Sequence, residues 1–194
     1  MRKDRFHQIV LKNSTGFKDV RPFTRNGWTG RISYTYILDL DKISKNVFER
    51  TARRCIDKGS KNGFTIKKLN DPRIFYQLFE AVLSGKGIKP FASQSLFEDI
   101  LGGNGRLALA EMWVAETLTG EIASAQIVTY DSKRAYIWSE ATHPEFKGMG
   151  ANCLLQYEVL NDLAARGFKE ADLMRANVPQ LASFAAQLNP ELVP

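Results

Sequence analysis

The sequence has no long hydrophobic run. Across its 194 residues no stretch reaches the ~18 consecutive apolar side chains from which a bilayer-spanning helix is built. The first residues, Met1-Arg2-Lys3-Asp4-Arg5-Phe6-His7, are charged with no apolar core behind them, so they do not read as a secretory leader. A cytoplasmic protein is the expectation. Histidine is scarce: His7 and His143 are the only two, and neither sits at ligand spacing with a second His, Cys or carboxylate, so no metal is expected. Cysteine is equally scarce. Cys55 and Cys153 each fall inside an apolar helical stripe and read as two buried small side chains rather than a disulfide or a nucleophile. Internal repeats and low-complexity linkers are absent. With 44% hydrophobic residues, the chain suffices for one well-buried domain, or one domain and an appended segment, but not for two full domains.

What the sequence does have is positive charge. The formal net charge is +6 and the pI near 9.3, a balance that favours an anionic partner. The cations are unevenly placed: Arg50, Arg53, Arg54, Lys58, Lys61, Lys67 and Lys68 gather within twenty residues, with only Asp57 among them. They form either a solvated helix face or a cradle for phosphates, whether of a cofactor, of a lipid- or nucleotide-linked sugar, or of a tRNA.

Periodicity gives the order of elements. Ser33 to Leu40 is rich in aromatic and β-branched residues and predicts a strand. Ile43, Val47, Phe48, Ala52, Cys55 and Ile56 recur at helical spacing with the basic residues opposite, and Gly59 or Gly63 ends that helix. Phe64 to Leu69 alternates as a short strand. Asn70-Asp71-Pro72 then supplies a cap and a first-turn proline for a helix with the stripe Ile74, Phe75, Leu78, Phe79, Val82 and Leu83, leaving through Gly85-Lys86-Gly87. Ser95-Leu96-Phe97-Glu98 has capping-box spacing and opens a helix that stops at Gly102-Gly103. Strands over Leu107–Ala115, Ile122–Tyr130 and Ala135–Ala141, joined by turns at Thr117–Gly120 and Asp131–Lys133, predict an antiparallel meander. A helix from about Gly150 to Arg166 closed by Gly167, a short strand around Ala171–Met174, and a helix capped by Asn177 with Pro179 near its start complete the series. This is an α/β sandwich with a mixed sheet.

The most informative segment joins the meander to the long helix: Glu145-Phe146-Lys147-Gly148-Met149-Gly150-Ala151-Asn152. Two glycines one residue apart permit positive φ, and the helix start behind them carries a partial positive charge. Lys147, Gly148, Met149, Gly150, Ala151 and Asn152 are therefore candidate ligands of a phosphate-bearing group, of which an acyl-CoA pyrophosphate is one that suits; a tight strand-to-helix connection explains the same spacing.

In this order of elements the chain resembles the GNAT superfamily of N-acyltransferases, whose cofactor-binding helix follows a glycine loop of the type R/Q-x-x-G-x-G/A. Glu145-x-x-Gly148-x-Gly150 matches the glycines but places a carboxylate first, where it repels a phosphate. The chain is similar, from about Phe17 onward, to the Fem-type and BioF2-like branch. The likeness is carried by Tyr34–Leu40, Arg53–Gly63, Gly120–Ala125, Gly150–Glu158, and Ala176-Asn177-Val178-Pro179 through Phe184 to Val193. It departs from that branch at Ala185, where a lysine is common, and at Arg175, where a small residue or glycine is.

The resemblance implies a GNAT-like α/β (α+β) fold, a mixed, largely antiparallel sheet flanked by helices. Residues 1–32 are then a remnant of a preceding domain and 33–194 a single GNAT-like domain, with relatives continuing into another strand beyond Pro194. It implies direct attack of an amine on a thioester (acyl-CoA) or an aminoacyl ester (aminoacyl-tRNA). The acceptor is an amino sugar, a peptide or a peptidoglycan or other cell-envelope precursor. Glu140 is the expected proton acceptor, with Tyr157 at the leaving group and Asp172 orienting the amine; each also reads as an ordinary strand-end or core residue. Arg53, Arg54, Lys58 and Lys61 are the expected anion-binding set. The competing expectation is a non-catalytic GNAT-like binding module that holds an anionic partner through the same basic helix. RNA binding without catalysis finds no aromatic stacking platform among the basic residues.

Overall fold

A computed structural model describes residues 9–13, 15–17, 19–90, 92–102 and 110–194. The charged start with His7, the end of the third helix at Gly103, and the strand's first expected residues Leu107 to Leu109 lie outside the described residues. The elements are α1 (Arg21–Thr24), β1 (Thr35–Asp39), α2 (Arg50–Lys61), β2 (Thr65–Lys68), α3 (Pro72–Ser84), α4 (Gln94–Ile100), β3 (Ala110–Glu116), β4 (Ile122–Tyr130), β5 (Arg134–Thr142), α5 (Ala151–Ala165), β6 (Glu170–Asp172), α6 (Pro179–Ala186) and β7 (Glu191–Val193).

The strands form one sheet in the order β2-β3-β4-β5-β6-β1-β7, antiparallel throughout except for the parallel pair β5–β6. This is the mixed, largely antiparallel sheet that the resemblance implied. Apolar side chains on both faces give two cores. On one face Trp113, Ala115, Val128 and Ile137 pack under Ala52 and Ile56 of α2, Leu154, Leu155 and Val159 of α5 and Ala185 of α6. On the other, Met112, Val114, Ala125, Ile127 and Ala141 pack under Phe75, Leu78 and Phe79 of α3 and Phe97 of α4. Burial of apolar surface on both faces of a sheet fixes which residues point where, because alternation leaves one register that hides both sets.

Several local expectations are corrected. The first long helix begins only at Arg50: Ile43 and Val47 precede it, in a stretch that instead makes short 3-10 turns at Leu40–Lys42 and Lys45–Val47. The side chains of Asp39 and Ser44 each accept a hydrogen bond from the backbone two residues on, which closes those turns and diverts the backbone from an α-helix. Gly59 does not end α2 but lies buried within it, and Gly63, at φ +76°, follows the end. The cap of α4 is Ser93 rather than Ser95, and that of α6 is Val178. Asn177 instead clamps Tyr34, accepting from its N–H at 2.9 Å and donating to its carbonyl. The residues at 191–193 form an edge strand on β1 that the sequence did not signal.

The cysteines are the largest correction. Cys55 of α2 and Cys153 of α5 form a disulfide across 98 residues, with Cα atoms 5.8 Å apart. The reason is backbone proximity. A Cβ placed on Gly59 would lie 2.5 Å from the Gly150 carbonyl oxygen, and one on Gly150 would lie 2.5 Å from the Cys55 carbonyl oxygen and from the Gly59 nitrogen. Two helices that touch at glycine bring the cysteines one turn away within bonding reach.

Candidate functional site

β5 and β6 pair over three positions, Arg134 with Glu170, Ala135 with Ala171 and Tyr136 with Asp172, after which β5 continues to Thr142 with no strand paired on that side among the described residues. The ladder between β4 and β5 shifts at the same level: Val128 faces Ile137 and Ile127 faces Ser139, leaving Trp138 as an extra residue. Bulges of this kind bend a strand and re-aim side chains beside functional sites.

A largely buried polar cluster lies where the two strands part. Glu140 stands opposite Gln126 in the β4–β5 ladder, both on the α5 face because their neighbours Ala125, Ile127 and Ala141 belong to the other core. Arg175, three residues past β6 and only 5% exposed, reaches across the gap: its Nη2 lies 2.7 Å from a Glu140 carboxylate oxygen, close but not aligned as a hydrogen bond, and its Nη1 donates to Gln156 Oε1 of α5 at 3.3 Å. That bond fixes the Gln156 amide, so its Nε2 points elsewhere and has no acceptor; Gln126 Oε1 likewise has no donor. Both glutamines are about 1% exposed. Unpaired polar atoms at such depth are costly, each forfeiting a hydrogen bond it would make in water. The cluster thus brings together an N–H donor, a carbonyl acceptor, a carboxylate and a guanidinium, with Glu140 still partly exposed.

The expected residues are distributed as follows. Glu140 sits in this cluster. Asp172 begins the splay, but its carboxylate is engaged by Thr35 Oγ1 and by the Met174 N–H at 2.8 Å, which closes the turn where Met174 takes a φ of +53°. Tyr157 is half-buried on α5 and packs edge-on against Phe48, ring centroids 6.0 Å apart. In the glycine turn Lys147 and Gly148 face solvent, with nothing within 4 Å of a Cβ at Gly148, whereas Gly150 and Ala151 are buried beneath α2. Met149 packs into the core and its carbonyl accepts from Asn62 at 2.8 Å; Asn152 is half-buried. Arg54, Lys58 and Lys61 are exposed on α2, and Arg53 is half-buried. The members of this cluster that sequence reading missed are Gln126, Gln156 and, as a partner of Glu140, Arg175. Their signal was present: Gln126 is the lone amide in the buried run of β4, and Gln156 interrupts the buried face of α5.

A hollow of about 570 Å³ lies at the opposite end of the sheet, between Asp39, Asp41, Lys169, Glu170 and Asn189. Most of its charges are paired, Asp39 with Lys42, Asp41 with Lys169 and Glu170 with Arg134, and the remaining one, Glu191, is a carboxylate.

Comparison with solved structures places this geometry among known folds. FemX superposes with a TM-score of 0.69 at 15% identity, over 82% of this chain and 59% of that one. A C-terminal domain assigned to lysylphosphatidylglycerol synthetase from Agrobacterium fabrum gives 0.60 at 15% identity, over 83% of this chain and 57% of that one. A GCN5-related N-acetyltransferase from Sphaerobacter thermophilus gives 0.53 at 16% identity, over 90% and 52% respectively. At these identities the likeness is one of fold, and the chain spans little more than half the length of each. No protein of curated function matches in sequence. The profile of the acetyltransferase (GNAT) domain, however, matches residues 46–179, from the turn before α2 through the splayed strands, the glycine turn and α5 to the first residue of α6. With well over half of its length covered by that profile, the chain belongs to the GNAT acetyltransferase family.

Proposed function

We propose that the chain transfers an acyl or aminoacyl group from a thioester or aminoacyl ester to an amine, with the β5–β6 gap as the reaction site. The observation that carries this reading is the cluster of Glu140, Arg175, Gln126 and Gln156 where the strands part. Amine attack on an activated carbonyl needs a position for the amine, exclusion of water and a proton acceptor. As the amine nitrogen bonds to the carbonyl carbon and the thiolate of the thioester, or the alkoxide of the aminoacyl ester, departs, Glu140 takes the amine's proton, directly or through one water, and Arg175 holds the carboxylate in place. Gln156 Nε2 is free to donate to a carbonyl oxygen, and Gln126 Oε1 is free to accept from an N–H.

Acyl-CoA is the donor GNAT domains generally use, and it supplies an activated thioester carbonyl. The turn fits it in part: Lys147 and Gly148 are open to a phosphate, and the deeper amides near Gly150 are roofed by α2. Aminoacyl-tRNA is the alternative ester. The fold shared with FemX and with a domain assigned to lysylphosphatidylglycerol synthetase supports a cell-envelope precursor as acceptor.

Arg175 also favours a second reading, that of a non-catalytic binding module, because the guanidinium spans the gap through which a donor arm would pass. Turnover separates the two. In an assay that offers acyl-CoAs or aminoacyl-tRNA with amine acceptors, Glu140→Gln is expected to lower the rate by about 10²-fold, with thermal stability checked in parallel. A folded Glu140→Gln protein with unchanged rate removes Glu140 from the mechanism. Absence of turnover with every donor, together with a shift in melting temperature on donor addition, establishes the binding module.

A further inference from the structure

α2 carries a second site. Lys45, Asn46, Arg50, Arg53, Arg54 and Asp57 line a shallow hollow of about 390 Å³ on the outer side of the helix, opposite the buried face of Ala52, Ile56 and Gly59. The four cations outnumber the one carboxylate, and Asp57 is already paired with Lys45. Among the described residues no carboxylate lies within ion-pair distance of Arg50, Arg53 or Arg54. Three guanidiniums held around one concavity repel each other.

Two further features make the arrangement unfavourable unless an anion is bound. The arginines occupy the first turns of α2, the end where the helix dipole favours negative charge, yet the first turn has no acidic residue and the Glu49 side chain makes no capping bond. Arg53 is half-buried, and its Nε–H is shut away from solvent with no acceptor. A guanidinium usually leaves that N–H in water or gives it to a carboxylate or phosphate. The hollow is small, near the lower end of the range for small-molecule pockets, and its cations converge on one place rather than tracking an extended backbone.

We infer that this hollow binds the phosphates of a small phosphorylated molecule, a diphosphate group in particular. Arg53 Nε donates to the innermost oxygen, Arg50 and Arg54 clasp the flanks, and the N-terminal dipole of α2 adds to the attraction. Arg53 and Arg54 belong to it, and Lys58 and Lys61, one and two turns further along, do not line it. The site lies about 9 Å along the helix before Gly59, six residues at 1.5 Å each. It does not depend on acyl transfer in the β5–β6 gap and stands if that reading fails.

The test is calorimetric titration of the whole chain with inorganic pyrophosphate at low salt. Saturable binding is expected, weakening as salt rises. Arg53→Gln and, separately, Arg50→Gln, an exposed position where folding is not at risk, should each lower affinity by about tenfold, the equivalent of ~1.4 kcal/mol. Lys58→Gln with Lys61→Gln should leave it within about twofold, the expectation for cations outside the contact. Three results overturn the inference: no saturable pyrophosphate binding, equal losses from the lysine and arginine variants, or binding of an RNA duplex with none of pyrophosphate.

Discussion

Gly148 and Gly150 stand two residues apart in one turn, both at positive φ, +76° and +89°, and alanine at each should have different consequences. At Gly148 the space is open, so Gly148→Ala incurs only the left-handed backbone strain, about 1 kcal/mol. At Gly150 the added methyl meets the Cys55 carbonyl oxygen and the Gly59 nitrogen at 2.5 Å, both backbone atoms of a helix that cannot yield locally. To the same strain is added overpacking of ~1–3 kcal/mol, for a total of about 2–4 kcal/mol, a sizeable part of the ~5–15 kcal/mol that holds a domain folded. Urea unfolding followed by tryptophan fluorescence gives the difference as a shift of midpoint at constant slope. The reciprocal variant tests the same contact from the other side. Gly59→Ala gains about 1 kcal/mol of helix propensity, yet its methyl lies 2.5 Å from the Gly150 oxygen and 2.8 Å from Leu154 Cβ, so a net loss is expected. Equal costs at Gly148 and Gly150, or a stabilising Gly59→Ala, would refute the claim that backbone contact between α2 and α5 shapes this turn.

Acid should weaken the fold through Glu111, which lies on β3 between Lys68 at 2.9 Å and Arg166 of the loop after α5 at 2.8 Å. Burial pushes its carboxyl up, but the two cations outweigh that and hold it below the usual 4.5. Because the folded value is the lower one, this stability is present above the unfolded pKa and is lost as pH falls through the folded pKa; Glu111→Gln should flatten that part of the acid limb in a pH series of melting temperatures, and an unchanged limb would assign it elsewhere. The Cys55–Cys153 bridge closes a loop of 98 residues, and reduction, or Cys55→Ser, is expected to remove ~2–4 kcal/mol. Urea unfolding with and without dithiothreitol measures it, and two titratable thiols in the untreated native protein would contradict the bridge.

Periodicity exposed most of the fold because most elements bury one face. The meander over β3, β4 and β5, the stripe of α3 and the run of α5 all declare themselves in this way, and Asp71 caps α3, accepting from the Arg73 N–H as the Asn-Asp-Pro signal implied. Failures came where short-range side-chain hydrogen bonds or distant parts of the chain decide. Val47 and Ile43 keep helical spacing, yet local hydrogen bonds from Asp39 and Ser44 close the backbone into 3-10 turns. Asn177 has the chemistry of a cap but is drawn to Tyr34, 143 residues away. The edge strand at Glu191–Val193 is short and exposed, so burial left no pattern in it. The site was legible in the same proportion: Glu140 was readable as a strand-end carboxylate, whereas the partners that give it an environment come from β4, α5 and the turn after β6, and only the folded sheet puts them together.

The crossing of α2 over α5 changes what the glycine motif means. In sequence, Gly148-x-Gly150 before a helix reads as a place for a phosphate. In the fold, Gly150 is spent on backbone contact with Gly59, the disulfide ties the next turn, and Asn62 holds the Met149 carbonyl. Only Lys147 and Gly148 remain on the open lip, with Glu145 beside them adding negative charge. A phosphate approaching here finds fewer free amides than the spacing suggests, while the same helix that roofs the turn carries unpaired guanidiniums on its outer side. The attraction for anions has thus shifted from the start of α5 to the start of α2, and the two helix ends differ in what they need. α5 begins with buried amides and a glycine contact that stabilise it without a ligand, whereas α2 begins with like charges against its own dipole, an arrangement that a bound anion makes favourable.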